Sequence, residues 1–266
     1  MLVRSQCTIN CSILFTEVPI LERPAAAAAA GFSAVEFWWP FSQARPGDHE
    51  VDAFLGAVLD SGVSLTGLNL FAGDMAAGDR GILSHPHRQR EYDENVAVVR
   101  TIAAATGCRI FNALYGTRLP DVTPEEQDET ALERLVSLAS FTAETGATVV
   151  LEPLSAVATY PLLTAADVMA ILNRLGESGA STRVALLADL YHLAVNGDDI
   201  SAAIATYGPR IGHVQIADAP GRNEPGTGGL PIARWTQELA HVGYSGLIGL
   251  EYKPSGASAD SFAWLE

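Results

Sequence analysis

Seven short apolar runs end on a residue with a side-chain oxygen: Glu36, Asn69, Asn112, Glu152, Asp189, Gln215 and Glu251. Ala-Thr-Val-Val-Leu-Glu152 and Gly-Leu-Ile-Gly-Leu-Glu251 are the plainest cases. A single acid in such a place is explained equally well by a helix N-cap or a solvated loop charge. Four in succession are not: Glu152, Asp189, Gln215 and Glu251 supply three carboxylates and one amide oxygen. Carboxylates brought together away from water repel unless a proton or cation compensates them, and an all-oxygen set suits a hard divalent ion. The expected cofactor is a divalent metal, Mg²⁺ first, with Mn²⁺ or Zn²⁺ as alternatives. Glu36, Asn69 and Asn112 read as lining the same cleft, with an Asx turn as the other reading of the two asparagines.

Other polar residues lie close to these ends. His192 follows Asp189 by three positions and could donate to a substrate hydroxyl or carbonyl, or simply begin a helix. Arg222 sits in a loop dense in glycine and proline, where a guanidinium suits a carboxylate; a surface pair with Glu224 is the plainer reading. Lys253, the chain's single lysine, is two residues past Glu251 and reads as a cation for the substrate or a partner for an acid. His213 alternates with Gln215 and reads as a residue packed in the barrel wall.

Convergence of these groups requires a scaffold that gathers strand ends. Short β-branched or apolar runs alternate with longer segments of helical spacing. Strands are expected at 8–15, 34–37, 64–70, 109–114, 148–152, 184–189, 211–216 and 247–251, with helices at 87–106, 123–145, 164–175 and 231–241. Gly31, Gly62, Gly107, Gly146 and Gly243 sit where helices should close. Eight strand–helix repeats without an internal linker make an α/β chain, a (β/α)₈ TIM barrel forming a single domain over 1–266, whose active site belongs at the C-terminal ends of its strands. The competing open sheet usually carries a glycine-rich phosphate turn after its first strand; here Phe15-Thr-Glu-Val-Pro19 stands there instead.

Composition narrows the partners. The 266 residues carry a net charge of −15, with 16 basic against 31 acidic side chains, which opposes binding to nucleic acid or anionic membranes. A small anionic substrate stays open, because local cations can reverse the field inside a cleft. Cys7, Cys11 and Cys108 are too few and too irregular for a disulfide framework, and the N-terminal segment lacks the apolar core of a secretion signal. A cytoplasmic location with reduced thiols is expected, and association into a homo-oligomer stays open.

Five segments resemble the hydroxypyruvate isomerase family of the xylose isomerase-like barrels. They are Ser12-Ile-Leu-Phe-Thr-Glu-Val-Pro19, Gly31-Phe-Ser-Ala-Val-Glu-Phe37, Leu68-Asn-Leu-Phe-Ala-Gly-Asp-Met75, Gly212-His-Val-Gln-Ile-Ala-Asp-Ala-Pro-Gly-Arg-Asn-Glu-Pro-Gly-Thr-Gly228 and Gly249-Leu-Glu-Tyr-Lys-Pro254. The resemblance implies isomerisation of a small hydroxy-oxo acid, interconverting hydroxypyruvate and tartronate semialdehyde. It implies Glu152, Asp189, Gln215 and Glu251 as metal ligands, Glu152 and Glu251 as the acid/base pair, and His192 and Arg222 as substrate contacts. With them, Asn69 and Lys253 complete the expected substrate-binding set. One departure stands out: Glu152 is followed by Pro153-Leu-Ser-Ala-Val-Ala-Thr-Tyr160 where family members often have an asparagine-containing loop. That change makes a 2-oxo-tetronate, one carbon longer, an alternative substrate. A ketose 3-epimerase on the same scaffold and a non-catalytic sugar-acid binding protein are the other readings. A barrel-type endonuclease would need several histidines for a zinc cluster, and the six here lie mostly away from strand ends.

Overall fold

Runs such as Thr148–Leu151, apolar on both faces, are stable only in a sheet covered on both sides. In the computed structural model, which describes residues 2–180 and 182–266, eight parallel strands solve this by closing into a barrel in sequence order. They are β1 (Cys7–Asn10), β2 (Ala34–Phe37), β3 (Ser64–Asn69), β4 (Ile110–Asn112), β5 (Thr148–Leu151), β6 (Val184–Asp189), β7 (Ile211–Ile216) and β8 (Ile248–Leu250). The ring is sealed by β1 against β8, with Cys7 opposite Ile248 and Ile9 opposite Leu250. The fold is the (β/α)₈ barrel expected from the alternation.

Helices α1 (Arg23–Ala29), α2 (Asp48–Asp60), α3 (Gln89–Thr106), α4 (Pro124–Ser137), α5 (Ala139–Thr145), α6 (Ala165–Glu177), α7 (Leu190–Val195), α8 (Ile200–Tyr207) and α9 (Ile232–His241) connect the strands. Helix α6 shows how they are specified. Thr164 Oγ1 accepts the Asp167 N–H at 3.2 Å while Asp167 Oδ2 accepts the Thr164 N–H at 2.8 Å, a reciprocal cap that starts the helix. Its buried residues Ala165, Val168, Met169, Leu172 and Leu175 then recur at helical spacing. Truncating one, as in Leu172→Ala, would cost about 2–5 kcal/mol. Gly107 and Gly146 take left-handed φ values of 72° and 66°, turning the chain from helix into β4 and β5.

Two elements differ markedly from the sequence reading, while the ends of the others move by at most two residues. The first strand stops at Asn10 rather than Phe15, because the N–H groups of Ile13 and Leu14 turn back to Asn10 O at 3.2 and 3.0 Å. Leu14 and Phe15 are nonetheless buried, so the apolar run continues as a buried turn. The helix expected over 123–145 is two helices, since the Leu138 N–H reaches back only to Leu135 O at 3.2 Å and breaks the α-helical ladder. Cys7, Cys11 and Cys108 are buried and free. Among the described residues no helix is long and apolar enough to cross a membrane.

Candidate active site at the barrel mouth

The four oxygen donors leave adjacent strands of the wall. Asp189 ends β6, Gln215 precedes the last residue of β7, and Glu152 and Glu251 immediately follow β5 and β8. All four side chains are buried. Asp189 uses its two oxygens differently: Oδ1 caps α7 by accepting the N–H groups of Tyr191 (2.9 Å) and His192 (3.3 Å), and Oδ2 turns toward the cavity. The N-cap reading of this acid is therefore correct, and its second oxygen stays available to the site. Glu152 Oε2 accepts from Asn112 Nδ2 at 2.7 Å, and Glu251 Oε2 accepts from Asn10 Nδ2 at 2.8 Å and Gln215 Nε2 at 2.5 Å.

Burial raises the proton affinity of Glu152 and Glu251. Burial, followed by the charges of Glu251 and Asp189, pushes Glu152 well above the carboxylate range, against a downward pull from Asn112 and Arg222. Burial lifts Glu251 to about 8; Arg222 lowers it, and Asp189 and Glu36 raise it. Arg222 compensates from the β7 loop: Nη2 donates to Glu251 Oε1 and lies 3.5 Å from Asp189 Oδ2, and its guanidinium stacks 5.4 Å from the Tyr191 ring. Its backbone has a positive φ of 55°, and its carbonyl accepts the Lys253 N–H at 2.7 Å, tying the β7 loop to the β8 loop. Glu224 instead accepts from Ser255, so the surface pair with Arg222 does not form.

His192 presents a neutral imidazole to the site. Its Nδ1 accepts the Ser155 N–H at 3.0 Å, with Ser155 Oγ 2.7 Å away. Burial, opposed by Asp189 and helped by Arg222, holds the ring's pKa down to about 4. A neutral imidazole whose Nδ1 accepts carries its hydrogen on Nε2, and Nε2 lies 3.6 Å from Asp189 Oδ2 and 4.0 Å from Glu152 Oε1. Ser155 belongs to the unusual loop after Glu152, which thus replaces a polar loop with one backbone donor aimed at the histidine.

Two ligand sets for a cation overlap on Glu152 and Asp189. Ligand atoms of Glu152, Asp189 and His192 all lie within 4.8 Å of one another. The all-oxygen set expected from the sequence replaces His192 with Gln215 and Glu251; Glu251 is not in that mutually close group, its Oε1 being taken by Arg222, while Gln215 Oε1 is buried without a hydrogen-bond partner. A buried acceptor without a partner calls for a positive one, and the hydrogen on His192 Nε2 leaves that nitrogen a donor rather than a ligand. The residues present fit a hard divalent ion.

These groups open into a cavity of about 610 Å³ that includes Asn69, Glu152, His192, Arg222, Glu251 and Lys253 in its wall. Asn112 lies beneath it, holding Glu152. Glu36 is also beneath the mouth, and His213, read as a packing residue, is 2.7 Å from its carboxylate. Sequence reasoning missed Arg80, Trp38 and Ser155, which line the cavity from loops. Arg80 Nη1 donates to the carbonyls of Met75 (3.0 Å) and Asp79 (2.6 Å), while the Asp79 carboxylate pairs with Arg88. Among the described residues no acid forms an ion pair with Arg80 or Lys253. Only the loop's arginine itself could have pointed there, because nothing in its spacing distinguishes it from a surface cation.

Residues 24–266 match the family model described as Xylose isomerase-like TIM barrel. A Streptomyces coelicolor protein that carries a provisional hydroxypyruvate isomerase name is 48% identical, the match spanning 97% of this chain and 94% of that one. A 2-oxo-tetronate isomerase from Cupriavidus necator is 31% identical over 97% of this chain and 96% of its own. Among solved structures, that named AP endonuclease, family 2, from Brucella melitensis superposes with a TM-score of 0.87 at 31% identity, covering 98% of this chain and 97% of that one.

Proposed function

The chain belongs to the xylose isomerase-like TIM barrel family and, within it, to the hydroxypyruvate isomerase family, and from that premise we propose that it is a divalent-metal-dependent isomerase interconverting hydroxypyruvate and tartronate semialdehyde. The observation that carries the metal is the buried Gln215 Oε1, left without a hydrogen-bond partner while the nitrogen of the same amide bonds Glu251. Mg²⁺ is the first choice for such a set, with Mn²⁺ next. When bound, the ion would act as a Lewis acid toward the substrate's carbonyl and hydroxyl oxygens.

The chain's own groups do the rest. The reaction moves a hydrogen from C3 of hydroxypyruvate to C2, and proton transfer through an enediolate is the route two carboxylates suit. One of Glu152 and Glu251 removes the C3 proton and the other returns a proton at C2, while the O3 hydroxyl proton passes to O2; proton exchange with solvent then restores both carboxyls to their starting states. Their raised proton affinity fits this work, since a carboxyl that holds its proton more readily can serve as an acid as well as a base. His192 Nε2–H donates to the substrate oxygen on which charge develops, held in line by Ser155. Arg80 and Lys253 bring unpaired positive charge to the cavity wall, which suits the substrate carboxylate despite the acidic exterior.

A 2-oxo-tetronate is the second reading. It is favoured by the room in the 610 Å³ cavity and by the compact, largely apolar 153–160 loop at its edge. Proton NMR of the protein with hydroxypyruvate and separately with 2-oxo-tetronate, each with and without chelator, tests substrate and ion together. Conversion of neither acid in the presence of Mg²⁺ or Mn²⁺ would overturn the isomerase reading; conversion unaffected by chelator would overturn the metal. In D₂O the product should carry deuterium at the new C–H, and its absence at low conversion would indicate a hydride shift.

A further inference from the structure

Beneath the mouth, outside the reacting groups, lies a buried polar cluster in the middle of the barrel. Glu36, on β2, is 2% exposed. Its Oε2 is 2.7 Å from His213 Nε2; its Oε1 accepts from Gln215 Nε2 at 2.7 Å and from Asn10 Nδ2 at 3.3 Å. A carboxylate in the interior of a barrel is costly to desolvate, and the wall has been cut back to admit this one. A Cβ on Gly249 would come within 2.7 Å of Glu36 Oε1, and one on Gly67 within 3.2 Å of Glu36 Cβ. Space is thus reserved on two strands, β3 and β8, for a group outside the cavity wall.

The connection to the site is the amide of Gln215. An amide can present either its oxygen or its NH₂ to a given point, and the two ends differ little in size. Here both N–H donors are used: one faces Glu36 and the other Glu251. Rotating the amide by half a turn would set its oxygen against two carboxylates and put the NH₂ where Oε1 now lies without a partner. With Glu251 alone as acceptor, only one donor would be engaged and the preference would weaken. His213 completes the arrangement by holding Glu36 Oε2, which leaves Oε1 for the glutamine.

Resting on the metal-dependent reading above, we propose that Glu36 is a positioning residue that locks the Gln215 amide with Oε1 toward the cation seat, with His213 as the brace that holds Glu36 in place. The charge of Glu36 acts through orientation; it does not contact substrate or metal.

The test is Mn²⁺ binding to the purified full-length chain, followed by electron paramagnetic resonance, for wild type, Glu36→Gln, Gln215→Ala and the double variant. Glu36→Gln should weaken Mn²⁺ binding by about 10- to 100-fold, the usual effect of removing an outer partner of a metal ligand. In the Gln215→Ala background the same substitution should change it by less than about threefold, since no amide is left to orient. A loss of equal size in both backgrounds would show that Glu36 acts by general packing and would overturn the proposal, as would wild-type affinity in Glu36→Gln. If Glu36→Gln does not fold, His213→Asn keeps the carboxylate and removes its brace; unchanged Mn²⁺ affinity there overturns the proposal. Absence of Mn²⁺ binding to the wild type overturns the metal reading and this inference together, whereas wild-type binding with an indifferent Glu36→Gln overturns this inference alone.

Discussion

The backbone N–H of Ser155 donates to His192 Nδ1 across 3.0 Å, so the imidazole offers its Nε2–H to the cavity. Because the donor is main chain, Ser155→Ala should retain it and keep kcat within about threefold. His192→Asn, which shortens the reach, should lower kcat by about 10²-fold with little change in thermal stability. Steady-state kinetics with the better of the two oxo acids distinguish the pair; a large loss in Ser155→Ala would show that the hydroxyl, and not the N–H, is the fixing group.

Glu152→Gln and Glu251→Gln each preserve shape while removing a base. Turnover should fall by about 10²- to 10⁴-fold in each. Removing one of several mutually repelling buried carboxylates should leave the metal-free protein at least as stable as wild type, which thermal melts in chelator would check. Near wild-type turnover in either variant contradicts the acid/base assignment.

Arg80→Gln should raise KM for the acid substrate by about 10- to 100-fold, the worth of one charge-assisted hydrogen bond, with kcat within a few-fold. A fall in kcat at constant KM would place Arg80 among groups that act on the transition state instead.

Asp218 organises the loop that carries Arg222, accepting N–H groups from Gly226 (2.9 Å), Gly228 (2.9 Å), Leu230 (3.0 Å) and Ala219 (2.9 Å). Burial alone would raise its carboxyl, but the backbone donors outweigh it and hold the group below the usual aspartate range. A depressed carboxyl stabilises the fold above its unfolded value near about 3.9, and that contribution is lost as pH falls through the lower folded value. Asp218→Asn should therefore cost about 1–3 kcal/mol at neutral pH. Urea denaturation of the two proteins should give a constant difference from pH 7 to about 5 that closes in the acid limb below about 4.

Much of this arrangement was legible in the chain because strand ends and active-site positions coincide in a (β/α)₈ barrel. An apolar run that stops on Glu152 or Glu251 identifies both an element and a candidate ligand. What escaped notice depends on contacts made across the barrel. His213 is separated from Glu36 by 177 positions, and no local pattern distinguishes a histidine that packs from one that braces a carboxylate. Gly67 and Gly249 lie inside continuous strands, where a Cβ would crowd that same distant side chain. Arg80 sits on a loop, where neither period nor cap fixes the direction of a side chain. The end of β1 was misplaced because burial continues through Leu14 and Phe15 after the strand hydrogen bonds have ceased.

Asp189 shares one carboxylate between the first turn of α7 and the cavity. That helix carries His192 on its buried side. A cation bound there as proposed would pull on the outward oxygen, and the rigid carboxyl plane would pass that pull to the segment that aims the imidazole. Loading such a cation and setting the donor's angle would then be one mechanical linkage.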